Sequence, residues 1–399
     1  MHKRIWLLLF LCATALPDGV VFYPYDNLPR IFSRADQQAF IYYEGGQEIL
    51  ILSIKYRGDA SDFAWIIPVP SKPRVAKAPE DFFEQVQDLL HYLGYGRKPG
   101  ELLAPSGFDG FGGHLGESEP VTVISRQTIG IYDVAVLSST DPQALSNWCK
   151  KEGYKLPDSA PSILKTYIDR KWFFIAVKID KKAFGKATIG AGDLTPIMIG
   201  FTSNKIIYPL KISFLNREHL RPNIKKIDEW AGHPVIFREE EEELIDKLIE
   251  QLEKERREGK NLEETLLYKL GFEDSIKPSP FDDFTRRERI IRSTLESEFR
   301  QIAQKENCNL ELVVVAPYFV DIAEETPKAI RDNLSIPFTS HLKPDLFYKY
   351  LTYQDKRPIF KPKQTMALTY ISGEVPYALF IDDLFLTPHW GGKSEIKPN

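Results

Sequence analysis

Runs of apolar and aromatic residues with strand-like composition dominate the chain up to residue 220 and return at residues 310–320. Such side chains fit the pleated, half-buried surface of a sheet. A highly charged stretch at residues 238–260 separates the two parts, and its apolar residues recur at helical spacing. We therefore predict an α+β fold with a largely antiparallel or mixed sheet, packed helices and a charged helical insertion.

A β-hairpin is predicted at residues 37–57, where two strand-like runs flank Gly45 and Gly46. Leu50 and Leu52 share one face of the second strand, which should point into the core. The opposite face mixes apolar with polar residues, so we expect it to be partly solvated, as in an antiparallel sheet.

The stretch from Phe63 to Pro70 reads F-A-W-I-I-P-V-P and has strand composition up to Ile67. Pro68 lacks the N–H that a central strand must donate. The strand should therefore end at Pro68 or lie at the edge of its sheet. Both faces of this strand are apolar, so we expect Trp65 in the core; an exposed recognition role is the alternative.

The chain is predicted to consist of a signal peptide at residues 1–15, an α+β domain at 16–235 and 308–390, and a helical insertion at 236–307. The signal peptide is indicated by basic residues, a short apolar run and the small-residue pattern Ala13-Thr14-Ala15. A bilayer-spanning helix needs about 20 apolar residues, and the apolar run at the N-terminus is much shorter than that. We therefore expect an extracytoplasmic protein (periplasmic, cell-surface or secreted) with no transmembrane helix in the mature chain.

Composition and motifs argue against several functional classes. The net charge of -4 gives no reason to expect a nucleic-acid partner. The motifs C-x-x-C, H-E-x-x-H and G-x-S-x-G are missing from the sequence, and no histidine has a His or Cys partner at metal-ligand spacing. We therefore expect neither a metal nor a cofactor.

Four residues are candidates for ligand binding. Asp59 and Asp62 precede a predicted strand and could form an acid–base pair or bind a cation, although a turn capped by aspartates is the alternative. Trp65 could stack on a sugar or peptide, if it is not a core residue. His114 lies in a glycine-rich loop, where functional groups concentrate. In a hydrolase, the two aspartates and His114 should converge in one pocket.

Cleavage of the signal peptide would remove Cys12 and leave Cys149 and Cys308. In an oxidising compartment these two residues could form one disulfide. Two buried thiols are the alternative, because cysteine also behaves as a small hydrophobic residue.

Several segments resemble a bacterial family of exported proteins, domain-of-unknown-function family 2330. They include FAWIIPVP, VTVISRQTIGIYDVAVL, IIYPLKISFLN and LTYISGEVPYALFIDDLFL. The resemblance covers about residues 17–220 and 309–387 and leaves out 236–307. It implies export and a mixed sheet-and-helix domain, but no activity. We therefore favour a non-enzymatic binding or envelope-structural protein, with an envelope protein or a glycan as partner. An uncharacterised extracytoplasmic hydrolase with a site near Asp59 and Asp62 is the alternative.

Overall fold

The computed structural model describes twelve ranges of the chain. They are residues 20–22, 37–53, 55–56, 64–95, 120–154, 156–157, 159–179, 192–193, 195–215, 224–237, 239–272 and 284–389. The predicted signal peptide, Asp59, Asp62 and His114 lie outside the described residues.

The strands, in chain order, are β1 (Val20–Phe22), β2 (Gln37–Glu44), β3 (Gln47–Ser53), β4 (Lys55–Tyr56), β5 (Ala64–Val69), β6 (Arg74–Lys77), β7 (Val121–Ile129), β8 (Tyr132–Ser139), β9 (Phe173–Ile179), β10 (Gly192–Asp193), β11 (Ile197–Thr202), β12 (Ile206–Tyr208), β13 (Asn307–Ala316), β14 (Val320–Ile322), β15 (Leu334–Leu342), β16 (Met366–Pro376) and β17 (Leu384–Pro388). The helices are α1 (Phe82–Tyr92), α2 (Pro142–Lys151), α3 (Ala160–Asp169), α4 (Ile224–Ala231), α5 (Glu241–Arg257), α6 (Leu266–Lys269), α7 (Phe284–Glu306), α8 (Lys328–Arg331) and α9 (Pro344–Tyr350).

Two large sheets organise these strands. The five-stranded sheet has the order β1-β5-β9-β8-β7, and all its pairs are antiparallel. The seven-stranded sheet has the order β15-β16-β13-β2-β3-β11-β6, in which only β13 and β2 run parallel. Strands β12, β17 and β14 form a separate small sheet in that order, and β4 pairs with β10. The predicted α+β class with mixed and antiparallel sheets is confirmed.

The main core lies between the two large sheets, because alternate side chains of each strand point to opposite faces. In β9, Ile175 and Val177 join the core between the sheets, whereas Phe174 and Ala176 pack under α2 and α3. The outer face of the seven-stranded sheet is covered in the same way by α1 and α9. The result is a four-layer arrangement in which helices cover both outer faces of a two-sheet sandwich.

The predicted hairpin is confirmed, since β2 and β3 pair through a turn at Gly45 and Gly46 with φ values of 58° and 76°. These left-handed conformations suit glycine. The expected partial solvation of the second face of β3 is wrong at Ile51. This residue is fully buried, because the layer of α1 and α9 covers that face.

Of the two alternatives predicted for this strand, an end at Pro68 is wrong. Strand β5 continues to Val69, with Pro68 opposite Phe174 of β9. On the other side of β5, the short strand β1 pairs only up to Ile66. Beyond that point β5 has no second strand partner among the described residues, so an edge position explains how the sheet tolerates a proline.

Strand β13 is parallel to β2, with Leu312 opposite Ala39. The strand-like segment after the charged stretch therefore belongs to the same sheet as β2, β3, β6 and β11, whereas β5, β7, β8 and β9 lie in the other large sheet. The helices α4–α7 form a separate hydrophobic cluster, whose buried residues run from Ile224 to Ala303. The cluster begins before residue 236, and the domain boundaries drawn from the sequence stay a prediction.

Candidate functional site

Trp65 is 1% exposed and lies in the core between the two large sheets. The interpretation of Trp65 as a core residue is therefore confirmed, and a ligand at the surface cannot stack on its ring. Its indole Nε1 has no hydrogen-bond partner among the described residues. Because Asp59, Asp62 and His114 lie outside the described residues, their predicted convergence in a pocket is not tested.

No disulfide joins Cys149 to Cys308. Cys149 packs in the cluster under α2 and α3, whereas Cys308 points into the core between the sheets. The five-stranded sheet lies between these two clusters, so the two side chains cannot meet. Burial raises the pKa of the Cys149 thiol, which therefore stays protonated at neutral pH.

Asp383 is a fully buried carboxylate just before β17. Its Oδ1 accepts hydrogen bonds from the Tyr167 hydroxyl at 2.7 Å and from the Lys211 backbone N–H at 3.1 Å. Arg170 Nη1 lies 3.4 Å from its Oδ2. Burial raises the pKa of Asp383 to about 6, and the Tyr167 hydroxyl and Lys211 N–H oppose that rise. A carboxylate without exposed surface cannot reach a substrate, so we assign Asp383 a structural role.

Glu48 of β3 is a second fully buried carboxyl group. Its Oε2 accepts a hydrogen bond from the Ile207 backbone N–H at 3.2 Å, while its Oε1 has no partner among the described residues. Burial raises the pKa of Glu48 well above its usual value, because the protonated, neutral carboxyl group is favoured in this environment. Glu48 and Asp383 thus both bind backbone N–H groups in or just after β12 and attach the small sheet to its neighbours.

The raised pKa of Asp383 predicts a specific dependence of stability on pH. The pKa of Asp383 in the folded state exceeds its ordinary value of 3.8. The stabilising contribution of Asp383 to the free energy of unfolding is therefore complete below pH 3.8 and is lost as pH rises through 6. The loss amounts to about 3 kcal/mol, at 1.36 kcal/mol per pKa unit. We expect Asp383→Asn to lack this component in urea denaturation at pH 4, 5.5 and 7. The exposed carboxylate variant Asp169→Asn is the control, and an unchanged pH slope in Asp383→Asn would contradict the assignment.

One surface segment with a strong excess of positive charge is residues 343–363. It carries six positive and two negative side chains, a net charge of +4 in a chain whose total is -4. Asp355 pairs with Arg357 at 2.5 Å. We define the basic tyrosine surface as the exposed side chains of this segment together with Tyr92 of α1. Its exposed basic residues are Lys343, Lys349, Lys356, Arg357, Lys361 and Lys363.

The exposed rings of this surface surround a lysine. The Nζ of Lys349 lies 4.7 Å from the ring centroid of Tyr92 and 4.9 Å from that of Tyr350. The two rings are themselves 5.2 Å apart. Tyr92 is 57% exposed and Tyr348 is 54% exposed, so much of both rings is open to solvent. A cation over an exposed aromatic ring is attracted to it by about 0.5–1 kcal/mol, so these contacts favour the observed arrangement.

Two contacts fasten the segment to the molecule. The side-chain amide of Gln85 in α1 donates to the Thr352 carbonyl at 3.0 Å and accepts from the Thr352 N–H at 2.9 Å. Phe360 is buried and stacks on Tyr42 at 4.5 Å. The basic tyrosine surface is therefore preorganised, which lowers the entropy that binding must overcome. α1 also carries the acidic residues Glu84 and Asp88, so the positive charge belongs to the segment and not to the helix.

A second concave region lies on the helical cluster. Three surface depressions share Trp230 of α4 as a wall. The smallest, of about 340 Å³, also contains Val235, Leu244, Glu240 and Lys247. Acidic and basic side chains are mixed around all three, so these depressions favour no ligand charge. Among the described residues, no group of three or more His, Cys, Asp or Glu could hold a metal ion. No helix of the described parts is long and apolar enough to cross a membrane.

The geometry above can be set beside known proteins. Residues 29–225 match the family model described as "Uncharacterized protein conserved in bacteria (DUF2330)". These residues are similar to the DUF2330 family. The resemblance seen in the sequence is thereby confirmed for this part of the chain, and the description assigns no activity that could be transferred. The resemblance of residues 309–387 lies beyond the matched range and stays a prediction.

No curated protein matches this chain. Among solved structures, one titled as the crystal structure of baculovirus P35 is similar, with 9% sequence identity and a TM-score of 0.34. The alignment covers 92% of this chain and 99% of that chain. A likeness of this size supports no inference about fold or function.

Sequence patterns had not singled out the basic tyrosine surface. The charge of residues 343–363 is visible in the sequence, and counting charges in a moving window would have found it. Tyr92 and Gln85 could not have been added, because α1 lies far from this segment in the chain. The Asp383 cluster likewise unites residues more than 200 positions apart.

Proposed function

We propose that the protein is an exported, non-enzymatic binding protein that attaches to an anionic component of the cell envelope through the basic tyrosine surface. The main support is the surface itself: a fixed, exposed segment with a net charge of +4 in a chain with a net charge of -4. The signal-like N-terminus supports export. The alternative of a hydrolase near Asp59 and Asp62 gains no support from the described geometry.

Exposed charges act weakly one by one, and this favours an extended ligand. A solvent-exposed ion pair contributes about 0.2–1 kcal/mol and is screened by salt. Several such pairs on one preorganised surface add up when the ligand presents repeated negative groups. The surface is therefore suited to a polymer or a charged matrix, and its binding should weaken as ionic strength rises.

Co-sedimentation with the insoluble envelope fraction of the exporting cell tests the proposal. The test variant combines Lys343→Ala, Lys349→Ala and Lys356→Ala on the basic tyrosine surface. The control variant combines Lys150→Ala, Lys151→Ala and Lys165→Ala, which removes the same charge from α2 and α3 on the other outer layer. We expect the wild type and the control to sediment at low salt and the test variant to bind about tenfold more weakly.

Two outcomes would contradict the proposal. If the control variant loses binding as much as the test variant, the total charge of the protein governs attachment and the surface has no special role. If the wild type does not sediment at low salt, the protein does not bind the envelope in this way.

A further inference from the structure

We infer that the anionic component is an acidic sugar polymer, whose rings stack on Tyr92 and Tyr348 while its acidic groups pair with the lysines of residues 343–363. This inference rests on the proposed binding function and names the ligand class for the same surface. The basic tyrosine surface has both exposed aromatic rings, which can stack on a sugar, and several exposed cations, which can pair with an anion.

The rings provide the first argument. Tyrosine combines a broad apolar face with a polar tip, and such a side chain is used where a partner is apolar on one side and wet on the other. A sugar ring has the same division, with C–H groups on its faces and hydroxyl groups around its rim. Tyr92 and Tyr348 are both more than half exposed. Lys349 and Tyr350 cover part of the Tyr92 ring, and the remaining surface of both rings is open to such a sugar.

The cations provide the second argument. The Nζ of Lys349 lies over the rings of both Tyr92 and Tyr350, which places a positive charge directly beside an exposed ring. A sugar that carries a carboxylate or phosphate group could therefore stack and form an ion pair at one position. Lys356, Lys361 and Lys363 continue the exposed positive charge along the segment, and a polymer with one acidic group per repeat could use them in turn.

Other anionic partners fit less well. Insertion into a lipid surface requires a continuous apolar face built from several exposed Trp, Phe or Leu side chains. The exposed isoleucines, Ile290 and Ile381, lie outside the basic tyrosine surface. A peptide ligand would need pockets for its apolar side chains. The apolar residues Phe347 and Phe360, which could line such pockets, are fully packed beneath the segment.

Single-stranded nucleic acid also combines stacking bases with phosphates. The proposed export argues against it, and the experiment treats it as a separate outcome.

Isothermal titration calorimetry on the full mature chain separates these classes with four probes of similar length. Polygalacturonate carries both sugar rings and charge, dextran only sugar rings, polyglutamate only charge, and oligo-dT bases with phosphates. We expect polygalacturonate to bind at least about tenfold more tightly than each of the other three. Tyr92→Ala and Lys349→Met should each weaken polygalacturonate binding several-fold while the thermal unfolding midpoint stays unchanged. Trp230→Ala, in the depressions of the helical cluster, is the control and should bind like the wild type.

Each of the other results would contradict the sugar inference, the proposed function or both. Equal binding of polyglutamate, or of oligo-dT, refutes the sugar inference but leaves the proposed binding of an anionic partner intact. Equal binding of dextran refutes the pairing with lysines and the proposed function with it. If no probe binds although the protein sediments with the envelope, the sugar inference alone fails. If Trp230→Ala weakens binding instead of Tyr92→Ala, the site lies on the helical cluster and the inference is wrong.

Discussion

A chain truncated after residue 225 should fail to form a stable fold, although it contains all of the residues that match the family model. In the structure, β2 is a central strand whose residues Gln37–Tyr42 pair with Leu310–Val315 of β13. Truncation removes β13, β16 and β17, which contribute buried residues to the core between the sheets. The loss exceeds the total net stability of an ordinary domain, about 5–15 kcal/mol.

An internal deletion of the helical cluster gives the matched comparison. Replacing residues 224–303 by a flexible linker removes a cluster whose buried residues all lie within that range. Every strand of the two large sheets stays in place, and loop closure costs little even for long connections. We expect this variant to unfold cooperatively in urea, as followed by circular dichroism. The truncated chain should show no cooperative transition in the same measurement.

The two variants together test whether the sheets form one structural unit. Cooperative unfolding of residues 29–225 alone would show that the matched part is an independent domain and that β13 is dispensable. Loss of soluble folded protein after the internal replacement would show that the helical cluster is needed by the sheets.

Trp65→Ala should lower the free energy of unfolding by about 3–5 kcal/mol, because it leaves a large cavity in the core between the sheets. Trp65→Phe is the matched control. It keeps most of the apolar volume, and the indole Nε1 that it removes makes no hydrogen bond among the described residues. We expect a cost of less than about 1.5 kcal/mol for this change. Chemical denaturation measures both values, and a change below about 0.5 kcal/mol for Trp65→Ala would contradict a core position.

Local features of the fold were predictable from the sequence. The hairpin follows from a glycine pair between two strand-like runs, and both glycines adopt the positive φ that such a turn requires. The start of α2 follows from Asp141 before a proline, and its Oδ1 indeed accepts a hydrogen bond from the Ala144 N–H at 2.5 Å. Each of these signals acts within a few residues, so no knowledge of the tertiary structure is needed.

Features that depend on packing between the sheets and helices of different layers could not be predicted from local sequence signals. Ile51 is buried because two helices from distant parts of the chain cover its face of the sheet. Pro68 stays in β5 because the partner strand on one side is short. The candidate site has the same origin: the Gln85–Thr352 contact joins residues 267 positions apart. Sequence periodicity reports the orientation of a side chain relative to its own strand or helix, but not what packs against it.

Hydrogen exchange of the protein, with and without polygalacturonate, tests most directly whether the basic tyrosine surface binds an anionic polymer. The account predicts slower exchange in residues 343–363 and in the part of α1 that carries Tyr92, with no change in α4 and α5 around Trp230. Slower exchange confined to α4 and α5 would place the ligand in the depressions of the helical cluster and contradict the account. Unchanged exchange throughout the chain at a saturating polymer concentration would contradict it as well.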